Sequence, residues 1–143
     1  LNDNLKSYKY ILIDCPPSLN ILTVNALTAS TSVIVPVQCE FFALQGLTEL
    51  MTTIEHIKTR ANKQLKIKGI LRTMFDPRNN LALDVSKQLT KHFKTQVFKT
   101  IIPRNIRLAE APSHGQPIEE YDDSSKGAYA YMSLVGEIIK QEN

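Results

Sequence analysis

A single acid, Asp14, closes the short apolar run Tyr10-Ile11-Leu12-Ile13, and two consecutive prolines, Pro16 and Pro17, follow almost at once. An apolar run bounded by a turn reads as a strand covered on both faces, the pattern of parallel sheets in α/β domains. Open α/β sheets take ligands beyond the carboxyl ends of their strands, so Asp14 is expected at such a mouth. A carboxylate there can hold a hydrated Mg2+, directly or through a water, because Mg2+ prefers oxygen ligands and keeps several waters. The same spacing fits an Asp that merely caps the next helix. The prolines fix their own φ and bias the residues before them toward extended geometry, so Cys15 and Pro16 cannot curl directly into a helix. A stiff loop of this kind beside a phosphate site would suit a switch element.

Three arginines form the second group. Arg104 and Arg107 lie three apart in the stretch 103–121, which carries three prolines and one glycine and reads as one long irregular segment. Such loops are uncommon in compact domains and are often functional. A guanidinium fork can donate two parallel hydrogen bonds to a phosphate, although either arginine could instead pair with Glu110. Arg78 stands in the turn Asp76-Pro77-Arg78-Asn79-Asn80, where Asn79 or Asn80 can cap the following helix. An arginine there opposes the positive end of the helix dipole, a small cost that an external phosphate would relieve. Just before it, Met74 ends a strand on the ligand side, where its thioether could pack on a purine or simply join the core. Gln38-Cys39-Glu40-Phe41-Phe42 follows another strand, and a plain reading buries both rings under the next helix.

Alternating elements must carry these residues. Strands are expected at 8–14, 32–37, 66–75 and 97–102, and helices at 19–29, 43–61, 80–93 and 125–140. Leu44, Leu47, Met51, Ile54 and Ile57 make an apolar stripe in the second helix, and Leu81, Val85, Leu89 and Phe93 recur every four residues in the third. In the last helix the stripe runs through Ala128, Tyr131, Met132, Val135, Ile138 and Ile139. Strand and helix in alternation with short turns imply right-handed crossovers, hence an α/β fold with a mostly parallel sheet and helices on both faces.

Length and composition set the frame: 143 residues, 43% hydrophobic, fit one domain or a large part of one. No apolar run approaches the roughly 18 residues of a membrane span and no signal segment opens the chain, so cytoplasmic residence is the default. Cys15 and Cys39 lack CxxC spacing and are expected as reduced thiols. His56, His92 and His114 have no partner at metal-ligand or triad spacing, and Ser18, Ser113 and Ser124 lack a nucleophile elbow. The net charge of +3 hides an asymmetry, since 58–107 holds thirteen Lys and Arg against two acids. A basic block in consecutive elements can make one positive face for nucleic acid. Solvated lysines on amphipathic helices are the plainer account of Lys58, Lys63, Lys87, Lys91 and Lys94.

The string IDCPPSL, Asn25-Ala26-Leu27-Thr28-Ala29, PVQCEFFALQGL at 36–47 and IIPRNIRLAEAPSHGQPI at 101–118 together resemble the carboxyl-terminal part of a ParA/Soj-type chromosome-partitioning ATPase, over roughly 8–139. The resemblance implies a partial P-loop NTPase-like domain spanning 1–143. The family carries a glycine-rich phosphate loop with two lysines upstream of this region. Here there is no GxxxxGK[ST] pattern, and the glycines at 46, 69, 115, 127 and 136 are too dispersed to cradle a triphosphate. The isolated chain is therefore expected to lack ATPase activity, since charge on the transferred phosphoryl group must be neutralised. By resemblance, the intact protein would bind ATP and Mg2+ in a sandwich homodimer, hold DNA without sequence preference on the nucleoid, and answer to a ParB-type centromere-binding protein. Asp14 would organise the magnesium and switch water, and Met74 and Pro103 would flank the base. Arg78, Arg104 and Arg107 would meet phosphates, and Gln38 and Glu40 would face the partner subunit. A MinD-like septum-site ATPase is an alternative, disfavoured by a tail, 136–143, with two acids and one lysine where a basic membrane-seeking helix would be needed. A non-catalytic α/β interaction module with a basic face is the other.

Overall fold

The structure, a computed structural model, describes residues 7–16 and 20–142. Three strands, β1 (Ser32–Gln38), β2 (Lys66–Phe75) and β3 (Val97–Pro103), lie side by side in that order, both pairs parallel. Parallel neighbours need long crossovers. These are α2 (Ala43–Arg60) between β1 and β2 and α3 (Asn80–Phe93) between β2 and β3, with α1 (Ile21–Ala29) leading into β1. After β3 come α4 (Ile106–Glu110), α5 (Ile118–Tyr121) and α6 (Lys126–Lys140).

Alternation along each strand sends side chains to two cores. On one face Val35, Val37, Ile70 and Val97 meet Leu27 of α1, Leu47, Ile54 and Ile57 of α2, and Val85 and Leu89 of α3. On the other, Leu71, Phe98 and Ile102 meet Leu134 and Ile138 of α6 and Leu108 of α4. Helices therefore cover both faces of a parallel sheet, as the sequence pattern implied. Gly69 belongs to the second face because a Cβ there would collide with the Phe98 ring, whose side chain is fully buried.

Four expectations need correction. The run 8–14 forms no strand, and Tyr8, Tyr10, Ile11, Leu12 and Ile13 are exposed. An extended segment becomes a strand only when a neighbour takes its backbone hydrogen bonds, and no described strand lies beside it. Pro17, Ser18 and Leu19 lie outside the described residues. The stretch 103–121 is not irregular. Asn105 accepts a hydrogen bond from the Leu108 amide to start α4, a 3-10 turn at Ala111–His114 carries Pro112 near its start, and Gly115 ends that turn at φ 64. Leu81 leaves its stripe for solvent. Finally, α6 seats through Gly127, Ala128 and Leu134, while Tyr131, Met132, Val135 and Ile139 are exposed. Small residues let α6 approach α4 closely: a Cβ on Gly127 would fall 2.5 Å from Leu108 Cγ.

Candidate functional site

Because the strands are parallel, Gln38, Phe75 and Pro103 finish at one end of the sheet, in a register that pairs Gln38 with Thr73 and Phe75 with Pro103. The β2–β3 register shifts between Arg72 and Phe75, and within that irregularity Met74 adopts φ +51. A non-glycine residue in the left-handed region is strained, and such strain gathers at functional sites. Met74 is half exposed there.

The chain then turns through Asp76. Its Oδ1 accepts from the Arg78 backbone N–H and from Arg78 Nε, both at 3.0 Å, and its Oδ2 accepts from Arg78 Nη2 at 2.8 Å. These hydrogen bonds, helped by the Arg78 and Arg104 charges, hold the Asp76 carboxyl well below the usual range, at about 2. The Arg78 side chain is 88% exposed, so the ion pair occupies one edge of the guanidinium only. Asn79 caps α3 by accepting from the Leu81 and Ala82 amides. Arg104 follows β3, and its backbone N–H donates to the Phe75 carbonyl at 3.0 Å, which ties the two turns together.

Arg107, one turn further, has taken its local partners. Its Nη1 lies 3.0 Å from Glu110 Oε2 and its Nε 3.2 Å from Asp122 Oδ2. Tyr121 donates its hydroxyl to the same Glu110 oxygen, and His114 stacks on the Tyr121 ring. The guanidinium is still half exposed. Phe41 and Phe42, expected under α2, stand exposed edge to face beyond β1, because the turn Gln38–Glu40 closes before α2 begins and points them outward. Gln38 and Glu40 are exposed beside them. Arginine, thioether and aromatic groups thus share the carboxyl end of the sheet.

Arg72 supports that end from beneath and escaped sequence reasoning. Its Nη1 donates to Ser86 Oγ of α3 at 3.0 Å and its Nη2 to the Phe98 and Lys99 carbonyls of β3 at 2.8 and 3.3 Å, while its Nε is buried without a partner. Burial lowers its pKa, and burial raises that of the nearby Cys39 thiol despite the arginine's charge. The available signal was a lone charge within the otherwise uncharged part of β2, 69–75.

Asp14 is not gathered with the others. It is exposed, and among the described residues no three His, Cys, Asp or Glu side chains form a metal cluster. Its one carboxylate fits the single protein ligand that Mg2+ often takes beside substrate phosphates, and no more. The basic block also divides. Lys58, Lys63, Lys66 and Lys68 line a groove of about 700 Å3 at the amino end of the strands, where Lys68 pairs with Glu142 at 2.9 Å. The charge therefore makes two basic regions and not one face. No helix among the described residues is long and apolar enough to cross a membrane.

Known proteins resemble this chain along nearly all its length. An AAA domain family profile, AAA_31, matches residues 1–67. The sporulation initiation inhibitor protein Soj of Bacillus subtilis is 53% identical over 93% of this chain and 53% of its own length. The chromosome partitioning protein ParA of Caulobacter vibrioides is 53% identical over 94% of this chain and 51% of its own. In structure, cobyrinic acid a,c-diamide synthase from Mycobacterium smegmatis, crystallised with an ATP analog and magnesium, superposes with a TM-score of 0.71 at 34% identity, over 92% of this chain and 46% of the synthase. The chain spans about half the length of the curated relatives it matches. Along nearly all its residues, the chain is thus similar to the matching half of ParA/Soj chromosome-partitioning proteins.

Proposed function

We propose that residues 1–143 are the carboxyl-terminal part of a ParA-type domain whose intact form binds ATP and Mg2+ as a homodimer and then holds DNA without sequence preference. The supporting observation is the convergence, at one strand end, of strained and exposed Met74, Pro103, Arg78 and Arg104. Met74 and Pro103 would hold the base between a thioether and a ring. Gln38, Glu40 and the exposed Phe41 and Phe42 would meet the partner subunit. Arg78, Arg104 and Arg107 would meet DNA phosphates, Arg107 after exchanging Glu110 and Asp122 for a phosphate oxygen. Asp14 would hold the magnesium, whose chemistry is to neutralise charge on the phosphates. A centromere-binding partner protein would act on the assembled dimer over the nucleoid.

The test is DNA binding by the intact protein with and without ATP across a salt series. Single substitutions of Arg78, Arg104 and Arg107 by Ala should weaken binding alike on unrelated sequences, each lowering the salt slope by about one. Unchanged slopes would remove these residues from the contact surface. DNA affinity indifferent to ATP would favour a non-catalytic module with a basic face.

A further inference from the structure

We propose that Asp76 is a positioning residue for phosphate recognition: its carboxylate holds Arg78 so that the free edge of the guanidinium faces outward as a ready fork. The inference rests on the DNA-binding reading above and adds to it a residue of the opposite charge. An acid beside a DNA-contacting arginine would, by simple charge counting, repel phosphate. The geometry points the other way.

Asp76 engages Arg78 at both ends. Oδ1 accepts from the Arg78 backbone N–H and from Nε, and Oδ2 accepts from Nη2. The side chain is thereby fixed from its backbone to its tip. A carboxylate on the Nε–Nη2 edge leaves Nη1 and the outer hydrogen of Nη2 undonated, and those two form the other bidentate face of a guanidinium. With the side chain 88% exposed, that face meets solvent. A latch that hid the arginine would bury it or use both edges, and neither is seen.

The surroundings hold the fork in place. The Asn79 amide donates to the Asp76 carbonyl, and Asn79 then caps α3, so the turn is fixed on the helix side. On the sheet side the Arg104 amide is bonded to Phe75, one residue before Asp76. The Asp76 carboxyl, held at about 2, stays ionised throughout the neutral range, so the fork persists wherever the protein works.

A double-mutant cycle on the intact protein tests this, with a random-sequence DNA duplex as the probe. Arg78→Ala should lower affinity about tenfold and reduce the salt slope by about one. Asp76→Ala should lower affinity at least about threefold although it removes a negative charge, and in the Arg78→Ala background it should leave affinity unchanged or raise it. Asp76→Asn keeps an acceptor for the backbone amide, so it preserves the turn and carries the test should the alanine variant not fold. It is expected to fall between wild type and Asp76→Ala. Tighter binding by Asp76→Asn in both backgrounds would overturn the proposal and leave Asp76 a plain repulsive charge. No effect of Arg78→Ala would sink the DNA reading of this turn instead, so the two failures are distinguishable.

Discussion

Alanine at position 69 tests the packing that holds β2 against β3 beneath the site. Gly69 pairs with Ile34 of β1, and a Cβ there would lie 2.7 Å from Phe98 Cδ2 and 2.8 Å from its Cζ. Phe98 is 1% exposed, packed among Leu71, Ile102 and Leu134, so its ring has little room to retreat. Two effects compete. Alanine narrows the unfolded ensemble, which favours the folded state by about 0.4–1 kcal/mol. Forcing an extra methyl into a filled core costs about 1–3 kcal/mol, and expelling the ring would cost about 1.5–3 kcal/mol. Overpacking wins, and Gly69→Ala should destabilise by about 1–2 kcal/mol. Phe98→Leu shortens the colliding side chain, so the double variant should be more stable than the summed singles by about 1 kcal/mol. Urea unfolding of the intact protein, with the slope checked for constancy, measures this. A neutral Gly69→Ala, or strict additivity with Phe98→Leu, would show that the ring does not press on this strand.

Two further outcomes follow from the second face. Glu137 of α6 accepts the Lys99 and Thr100 backbone N–H groups at 2.8 and 2.9 Å; burial raises its carboxyl, but these bonds outweigh it and the net shift is downward. A lowered folded-state pKa adds stability above the unfolded value that is lost as pH falls through the folded one. Glu137→Gln should therefore cost about 1 kcal/mol at pH 7, and thermal unfolding should show its gap to wild type closing as pH falls below about 4.5. Gly127→Ala should push α4 away through Leu108, destabilise by about 1–2 kcal/mol, and, on the proposed reading, weaken DNA binding by displacing Arg107; Gly136→Ala, with nothing within 4 Å of the new methyl, should do neither.

The parts of this fold written in local chemistry were legible. The strand at 66–75 and the helix at 80–93 match their expected bounds because Gly69-Ile70-Leu71 makes a buried centre in β2 and Asn79 marks a helix start. Helix α6 was misread because it is apolar around most of its circumference, and its contact face was chosen by where Gly127 and Ala128 allow close approach, which periodicity does not encode. At the site, strand direction placed Met74, Pro103 and Arg104 together. Pairing at three-residue spacing made Arg107 with Glu110 an open alternative, and it is the one observed. The Asp76–Arg78 fork, two residues apart in a turn, follows no helical or strand period. Arg72 was missed because its partners, Ser86 and the carbonyls of Phe98 and Lys99, meet it only in three dimensions.

The misreading at 8–14 is informative for a different reason. Its apolar residues are those of a buried strand, yet Leu12 is 90% exposed. Nothing in the segment opposes extended structure; Tyr10 donates its hydroxyl to Glu142 Oε2, but among the described residues no strand pairs with its backbone. Likewise β1 pairs with β2 on one side and has no described strand on the other. Two sets of backbone groups and a row of large apolar side chains thus stand open on one structure, where natural folds close such edges. The curated relatives are about twice as long as this chain. On the proposed reading, further sheet in the intact protein closes both openings and carries Asp14 to the carboxyl end, where Met74, Pro103, Arg78 and Arg104 lie. The amino-end lysines lie at the opposite end of the strands, so on the proposed reading the fork at Arg78, and not the lysine groove, is where nucleotide state and DNA affinity should be coupled.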